Sequence, residues 1–348
     1  VSNAPFRRGE AVRTRESGEM AHIGIDIGKK KLDCLWLRDM EKGKVKTKVF
    51  TNRHQDYPAL LDWLTRQTGE SPEALHVYME ATGIYHEPLA YWLHEAGVNV
   101  YVLNPAHAHH YAKSAGRLHK TDKADSRVLA EFGASRSHRR WTPEPEETRE
   151  LKRLVARLEA VYQDIQREKN RLEKAQFSRD TGAETSIGHV LAALEREAKR
   201  LQEEIETHLD RHDHLKRDRQ LLMSIPGIGP GLSTRLVAVL RSRPFESARQ
   251  AAAFLGLVPT YYTSGTSVKK TPTLSKTGSA VMRRKLYMGA VVAMTHNPDI
   301  QAQYARLKAR GKHSMSALGA AMRKLVHIAY GVLKTQTEYR PQPIPAGG

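Results

Sequence analysis

The stretch His22-Ile-Gly-Ile-Asp-Ile-Gly28 decides how the N-terminal half folds. Isoleucines at every second position predict a buried strand. Asp26 stands inside that strand. A carboxylate there costs several kcal/mol unless it meets a cation or hydrogen-bond donors, so Asp26 is a candidate functional residue; a buried, hydrogen-bonded Asp is the plain alternative. Working outward, Lys31–Leu37 and Lys44–Phe50 read as two further strands that complete a meander. Tyr57–Thr65 reads as a helix, His76–Glu80 as a strand and His86–Ala96 as a helix. Val98–Leu103 is a strand stopped by Asn104-Pro105, and Thr121–Phe132 is a helix with Thr121 as its N-cap. Three early strands, then strands alternating with helices, predict a mixed-sheet α/β domain over residues 21–145. Val1–Met20 is polar and without apolar period, so it reads as a disordered extension, with Met20 a candidate natural start.

Three more carboxylates join Asp26. Glu80 ends the apolar strand His76-Val-Tyr-Met-Glu80. Asp122 and Asp125, three apart in a helix, share a face. Four gathered acids repel unless they are neutralised. A pair of Mg²⁺ ions does this, and is the usual device for in-line attack at phosphorus.

After a linker at Trp141-Thr-Pro-Glu-Pro145, heptads appear over residues 146–215. Leu151, Leu158, Ile165 and Leu172 share one phase; Leu191, Ala198 and Ile205 resume it after a break around Gly182. Such a pair of helices makes a coiled-coil hairpin, a dimerisation arm, or a pair packed on its own chain. Residues 216–340 read as a mostly helical basic domain with a loop-rich insertion at Pro259–Ser279, and residues 341–348 as a loose tail.

The chain's formal charge is +18, and residues 216–348 hold 21 Lys and Arg against 4 Asp and Glu, a local balance of +17. A charge so concentrated predicts a polyanion-binding surface. Gly227-Ile-Gly229, between helical segments, reads like a helix-hairpin-helix turn whose N–H groups hold phosphate. Lys269, Lys270 and Lys276, then Arg283 and Arg284, suit a nucleic-acid backbone, as does Lys120 beside Asp122. Lys29, Lys30 and Lys31 sit next to the Asp26 strand and suit the same role or a solvated turn. His107, His109 and His110 fit no common zinc spacing and suit phosphate or RNA contact better. The chain has one cysteine, Cys34, which excludes an intrachain disulfide. With no run of about 18 apolar residues and no signal-peptide pattern, a cytoplasmic, nucleoid-associated protein without a membrane span is expected.

Asp26 on the first strand, Glu80 on a later strand and an Asp-x-x-Asp helix resemble a RuvC-like, ribonuclease-H-type domain. The phrases Glu80-Ala-Thr-Gly83, Asn104-Pro105 and Lys120-Thr-Asp-Lys-Ala-Asp125 resemble the DEDD transposases of the insertion-sequence one-ten family, bridge-RNA-guided recombinases related to the Piv-type DNA invertases. Ser224-Ile-Pro-Gly-Ile-Gly229, Phe254-Leu-Gly-Leu-Val-Pro259, Ser264-Gly-Thr-Ser267 and Ser275-Lys-Thr-Gly278 continue the likeness. The resemblance implies that Asp26, Glu80, Asp122 and Asp125 hold Mg²⁺ and that Ser264 is the nucleophile. It also implies donor DNA, target DNA and a guide non-coding RNA as partners, and a homodimer or homotetramer. Taken alone, Ser264 sits in a polar turn and reads as an ordinary turn residue, with no local base in view. A junction resolvase that uses the carboxylates and water, and a non-catalytic nucleic-acid binder on the same fold, are the other readings.

Overall fold

The structure, a computed structural model, describes residues 20–81, 83–116, 122–264, 268–275 and 277–341. The chain divides into two compact units, the first running to Pro143 and the second beginning at Glu144.

The first unit is built on a sheet of β1 (Ala21–Ile27), β2 (Lys31–Asp39), β3 (Lys44–Thr51), β4 (Leu75–Glu80) and β5 (Asn99–Leu103). Their order is β3-β2-β1-β4-β5. β1, β2 and β3 form an antiparallel meander, and β4 and β5 run parallel to β1. The expected mixed α/β fold of ribonuclease-H type is therefore what forms. One face of the sheet carries Ile23, Ile25, Leu32, Cys34, Val77 and Met79. They are buried against Tyr57, Leu60 and Leu64 of helix α1 (Tyr57–Thr68) and Leu89 and Leu93 of α2 (Glu87–Glu95). Burial, and secondarily the neighbouring Asp33, pushes the Cys34 thiol well above its usual range, so the lone cysteine is an apolar core residue.

Asn104-Pro105 does end β5, but it also starts a helix, α3 (Pro105–Ser114). The Asn104 side chain accepts the Ala106 N–H at 2.9 Å and Pro105 occupies the first turn. His107, His109 and His110 are exposed on that helix.

The other face of the sheet receives α4 (Asp122–Ser135). Its approach is very close. A Cβ placed on Gly24 of β1 would lie 1.9 Å from the Ser126 carbonyl oxygen and 2.8 Å from the Ala130 nitrogen. A Cβ on Gly133 would lie 2.4 Å from the Tyr78 ring of β4. Glycine at both positions lets backbone and ring touch directly.

The second unit begins with two long helices, α5 (Glu146–Ser178) and α6 (Thr181–Arg211). They turn at Arg179, which has a φ of +54°. Asp180 caps α6 by accepting the Ala183 N–H at 3.0 Å. The contacts run antiparallel: His208 reaches the Glu147 carbonyl at 2.8 Å, the Gln202 amide donates to the Tyr162 hydroxyl at 2.5 Å, and Lys169 meets Glu195 at 3.4 Å. The heptad residues Leu151, Leu158, Ile165, Leu191, Ala198 and Ile205 are thus buried within one chain. Their core is continuous with that of α7 (Asp213–Met223), α8 (Pro230–Leu240), α9 (Ala248–Phe254), α10 (Ala280–His296), α11 (Pro298–Ala309) and α12 (Ser314–Thr335).

The segment expected to be loop-rich contains a two-stranded hairpin, β6 (Pro259–Ser264) and β7 (Val268–Leu274). Its Thr, Tyr and Val content carried the strand signal, but Lys, Pro and Gly obscured it. Among the described residues, no helix is long and apolar enough to cross a membrane.

Replacing Gly24 by Ala is expected to cost about 1–3 kcal/mol through overpacking, read by chemical denaturation, because backbone atoms of α4 must shift. Leu201→Ala, which removes a side chain 2% exposed in the α5–α6 core, should cost about 2–5 kcal/mol and leave the mass in light scattering unchanged. A fall in mass would place that seam between chains.

Candidate catalytic site and nucleic-acid interface

Strand alternation decides where the acids point. Ile25 and Ile27 enter the core shared with α1 and α2, so Asp26 between them faces the side that α4 covers. Glu80 stands two residues beyond Tyr78, whose ring packs under Gly133 of α4, so it faces the same side. The parallel register pairs Ile25 with Met79. Asp26 and Glu80 therefore occupy the next rung, at the C-terminal edge of the two strands. Both are half-buried.

On α4, Asp125 immediately precedes Ser126, the residue whose carbonyl abuts Gly24. Asp122 lies one turn earlier, toward the same edge, and its side chain lies outside what the structure describes. The backbone thus puts Asp26 and Glu80 at one edge and on one face of the sheet, and the helix that carries Asp122 and Asp125 covers that face.

A fifth acid shares this face. Asp33 of β2 is the direct cross-strand partner of Asp26, and it makes an ion pair with Lys31 at 3.2 Å. Its side chain is 15% exposed, so it is a part of the site that the sequence reading passed over. The period-two pattern of Leu32-Asp-Cys-Leu-Trp36 was the available signal, since it turns Asp33 away from the face of Leu32 and Cys34.

Asn52, just after β3, braces this edge. Its side-chain amide donates to the Gly28 carbonyl at 3.0 Å and to the Tyr85 carbonyl at 3.2 Å. Its side-chain oxygen accepts the Tyr57 hydroxyl at 2.8 Å. One carboxamide thereby ties the end of the Asp26 strand to the segment that follows Glu80. Lys29 and Lys30 are exposed in the β1–β2 turn at this same edge, where a phosphate backbone would approach.

Carboxylate oxygens are hard donors, and as a set they suit Mg²⁺ in chemistry. Among the described residues, no three His, Cys, Asp or Glu side chains form a cluster that would hold a metal ion.

In the second unit, Ser264 is the last residue of β6 and pairs with Val268. Lys269 and Lys270 pair with Thr263 and Tyr262 on the same hairpin; their side chains, and that of Ser264, lie outside what the structure describes. Lys120 and Lys276 lie outside the described residues. Gly227 has a φ of +101°, and a Cβ there would fall 2.6 Å from the Gly289 carbonyl oxygen, so this glycine seats the turn on α10. Gly229 meets nothing within 4 Å and leads directly into α8, whose first residue, Pro230, has no N–H and whose Leu232 and Ser233 N–H groups donate to the Gly229 carbonyl at 3.1 and 2.9 Å. Arg283 donates to the Gly278 carbonyl at 2.5 Å, so part of its role is bracing the segment before α10. Arg284 is exposed.

Of the four acids in residues 216–348, two are taken up by internal partners. Asp218 is 1% exposed. It receives two hydrogen bonds from Arg241, at 2.5 and 2.8 Å, and one from Gln336 at 2.8 Å. Asp299 accepts the Tyr339 hydroxyl at 2.8 Å. The cationic surplus therefore faces solvent and suits a polyanion.

A DEDD-type transposase family model of the IS110 kind matches residues 23–175, and the model described as transposase IS116/IS110/IS902 family matches residues 219–305. The pilin gene-inverting protein of Moraxella bovis is 31% identical over 315 residues, which is 90% of this chain and 95% of that protein. The pilin gene-inverting protein of Moraxella lacunata is 30% identical over the same length. The transposase for insertion sequence element IS1111A of Coxiella burnetii is 26% identical over 277 residues, covering 70% of this chain and 74% of that protein. With an acidic edge on a ribonuclease-H-type sheet, a cationic helical unit and these matches along nearly its whole length, the chain belongs to the IS110-type transposase family and is a DNA transposase or recombinase.

Proposed function

We propose that the chain is the RNA-guided recombinase of an insertion sequence, cutting and rejoining DNA through a phosphoserine ester on Ser264. The observation that carries this reading is the placement of Asp26 and Glu80 at the same rung of neighbouring strands, on the face covered by the helix that bears Asp122 and Asp125. In the proposed reaction the Ser264 oxygen bonds to phosphorus and the strand's ester oxygen leaves, taking up the proton that serine gives up. Rejoining reverses the exchange. The energy of the broken ester is conserved in the serine ester, so no ATP is required. Asp26, Glu80, Asp122 and Asp125 would hold Mg²⁺, which when bound would neutralise the acids and stabilise the charge that develops on the phosphate. Gly229, Lys120, Lys269, Lys270, Lys276 and Arg284 would hold the nucleic-acid backbone.

Assembly as a homodimer or homotetramer belongs to the same proposal. It would use surfaces other than the heptad leucines, which are buried within the chain. The likeness to pilin gene-inverting proteins favours a second reading, inversion of a DNA segment by the same chemistry.

Asp26→Asn and Asp122→Asn should each drop strand cleavage below about a tenth of the parental rate while DNA binding persists. Cleavage above that level would remove the metal assignment. Ser264→Ala should abolish any covalent DNA adduct on denaturing gels with suicide substrates, whereas Ser267→Ala and Ser275→Ala retain it. An adduct that persists in Ser264→Ala moves the nucleophile elsewhere, and a parental chain that cleaves without any adduct indicates water as nucleophile.

Sequence recognition is the remaining requirement. No stretch of the sequence carries a zinc-finger pattern or a base-reading helix-turn-helix, and the cationic residues suit phosphates. Delegating recognition to base pairing resolves this. Nuclease-treated protein should bind DNA weakly, without sequence preference and with steep salt dependence. Adding the cognate RNA should confer site-specific recombination that follows its pairing loops. Efficient site-specific recombination without RNA would favour the invertase reading.

A further inference from the structure

Beside the end of β7, helix α10 and the start of α12 leave a pocket of about 300 Å³. Its floor is the buried pair Leu318 and Met322. Leu274 forms one wall, packed over Gly319, where a Cβ would lie 3.4 Å from the Leu274 side chain. Tyr287, 36% exposed, and Met315, 58% exposed, stand at the mouth together with Arg284.

An aromatic ring and a thioether left exposed in a segment of net charge +17 call for a ligand. An apolar slot with a ring at its mouth and a guanidinium beside it matches a flat heteroaromatic ring joined to a phosphate. The volume lies at the lower end of the range for small-molecule sites. A protein partner would need about 800 Å² of complementary surface, which a pocket of this size does not supply.

We propose that the pocket takes one unstacked base of a DNA strand, with Tyr287 stacking on the base and Arg284 holding an adjacent phosphate. The inference rests on the DNA-recombinase reading above and extends it. Leu274 is at the base of the hairpin, and Val268, six residues away, pairs with Ser264. Six strand steps span about 20 Å, the length of roughly six nucleotides at 3.4 Å each. A strand that tracks the hairpin from Ser264 would bring a base to the pocket about six nucleotides from the bond under attack.

The test uses the full chain and a fluorescein-labelled single-stranded oligodeoxynucleotide that carries 5-iodouracil. Photo-cross-linking should map to Tyr287. Tyr287→Ala should weaken binding roughly tenfold without changing the slope of affinity against salt, because stacking releases no counterions. Tyr287→Phe should bind like the parent, as should Met288→Ala, which alters an exposed side chain outside the pocket. Arg284→Ala should lower the salt slope by about one. Parental affinity in Tyr287→Ala overturns the proposal. So does a fall in its mass by light scattering at parental DNA affinity, which would make the pocket a protein contact. Tighter binding and stronger cross-linking of the matching oligoribonucleotide would assign the pocket to RNA and likewise overturn it. A parental chain that binds no DNA at all overturns the recombinase reading itself, a result distinct from the others.

Discussion

The first unit depends on the direct contact of α4 with β1 at Gly24. A helix normally rests on a sheet through a layer of interleaved side chains. Here the Ser126 carbonyl occupies the place where a Cβ would be. That approach seats the helix that carries Asp122 and Asp125 directly on the face of the sheet that bears Asp26 and Glu80. With an ordinary residue at 24, the helix would ride higher and its acids would move away from those on the strands. Gly133 against Tyr78 serves the same end on β4, so two glycines set the height of the helix at two separate strands.

The edge so formed concentrates negative charge, and the structure manages it in two ways. Asp33, facing Asp26 across the ladder, pairs with Lys31. Like charges directly opposite one another destabilise a strand pair, so this ion pair offsets part of the repulsion. Asn52 then fixes the backbone around the acids, with both amide hydrogens and its oxygen engaged. The helical unit applies the opposite arrangement. In residues 216–348, Asp218 and Asp299 are taken up by the internal partners Arg241 and Tyr339, and the excess of cations there is left to a ligand.

Much of the fold was legible because apolar period and burial are the same physical fact. The strands from Ile23 to Phe50 and the helices at Tyr57 and Leu89 have the boundaries that their patterns imply, within a few residues. Less visible were elements whose signals conflict. The β6–β7 hairpin hides its Thr and Tyr content among Lys and Pro, and α3 begins at a proline that equally well marks a strand end. Asp33 escaped notice because it sits in a strand already explained by its apolar neighbours, and its role comes only from the residue across from it.

By itself, the sequence determined the mixed α/β class, the cationic character of residues 216–348 and the heptad helices, because each rests on local period or on charge. Tertiary structure alone decided that Asp33 and Asn52 join the acidic edge, that the heptads close within one chain, and that Tyr287 and Met315 share a pocket. Those pairings depend on register and on which helix faces meet. Such contacts form between residues far apart in the chain, and no local pattern encodes them.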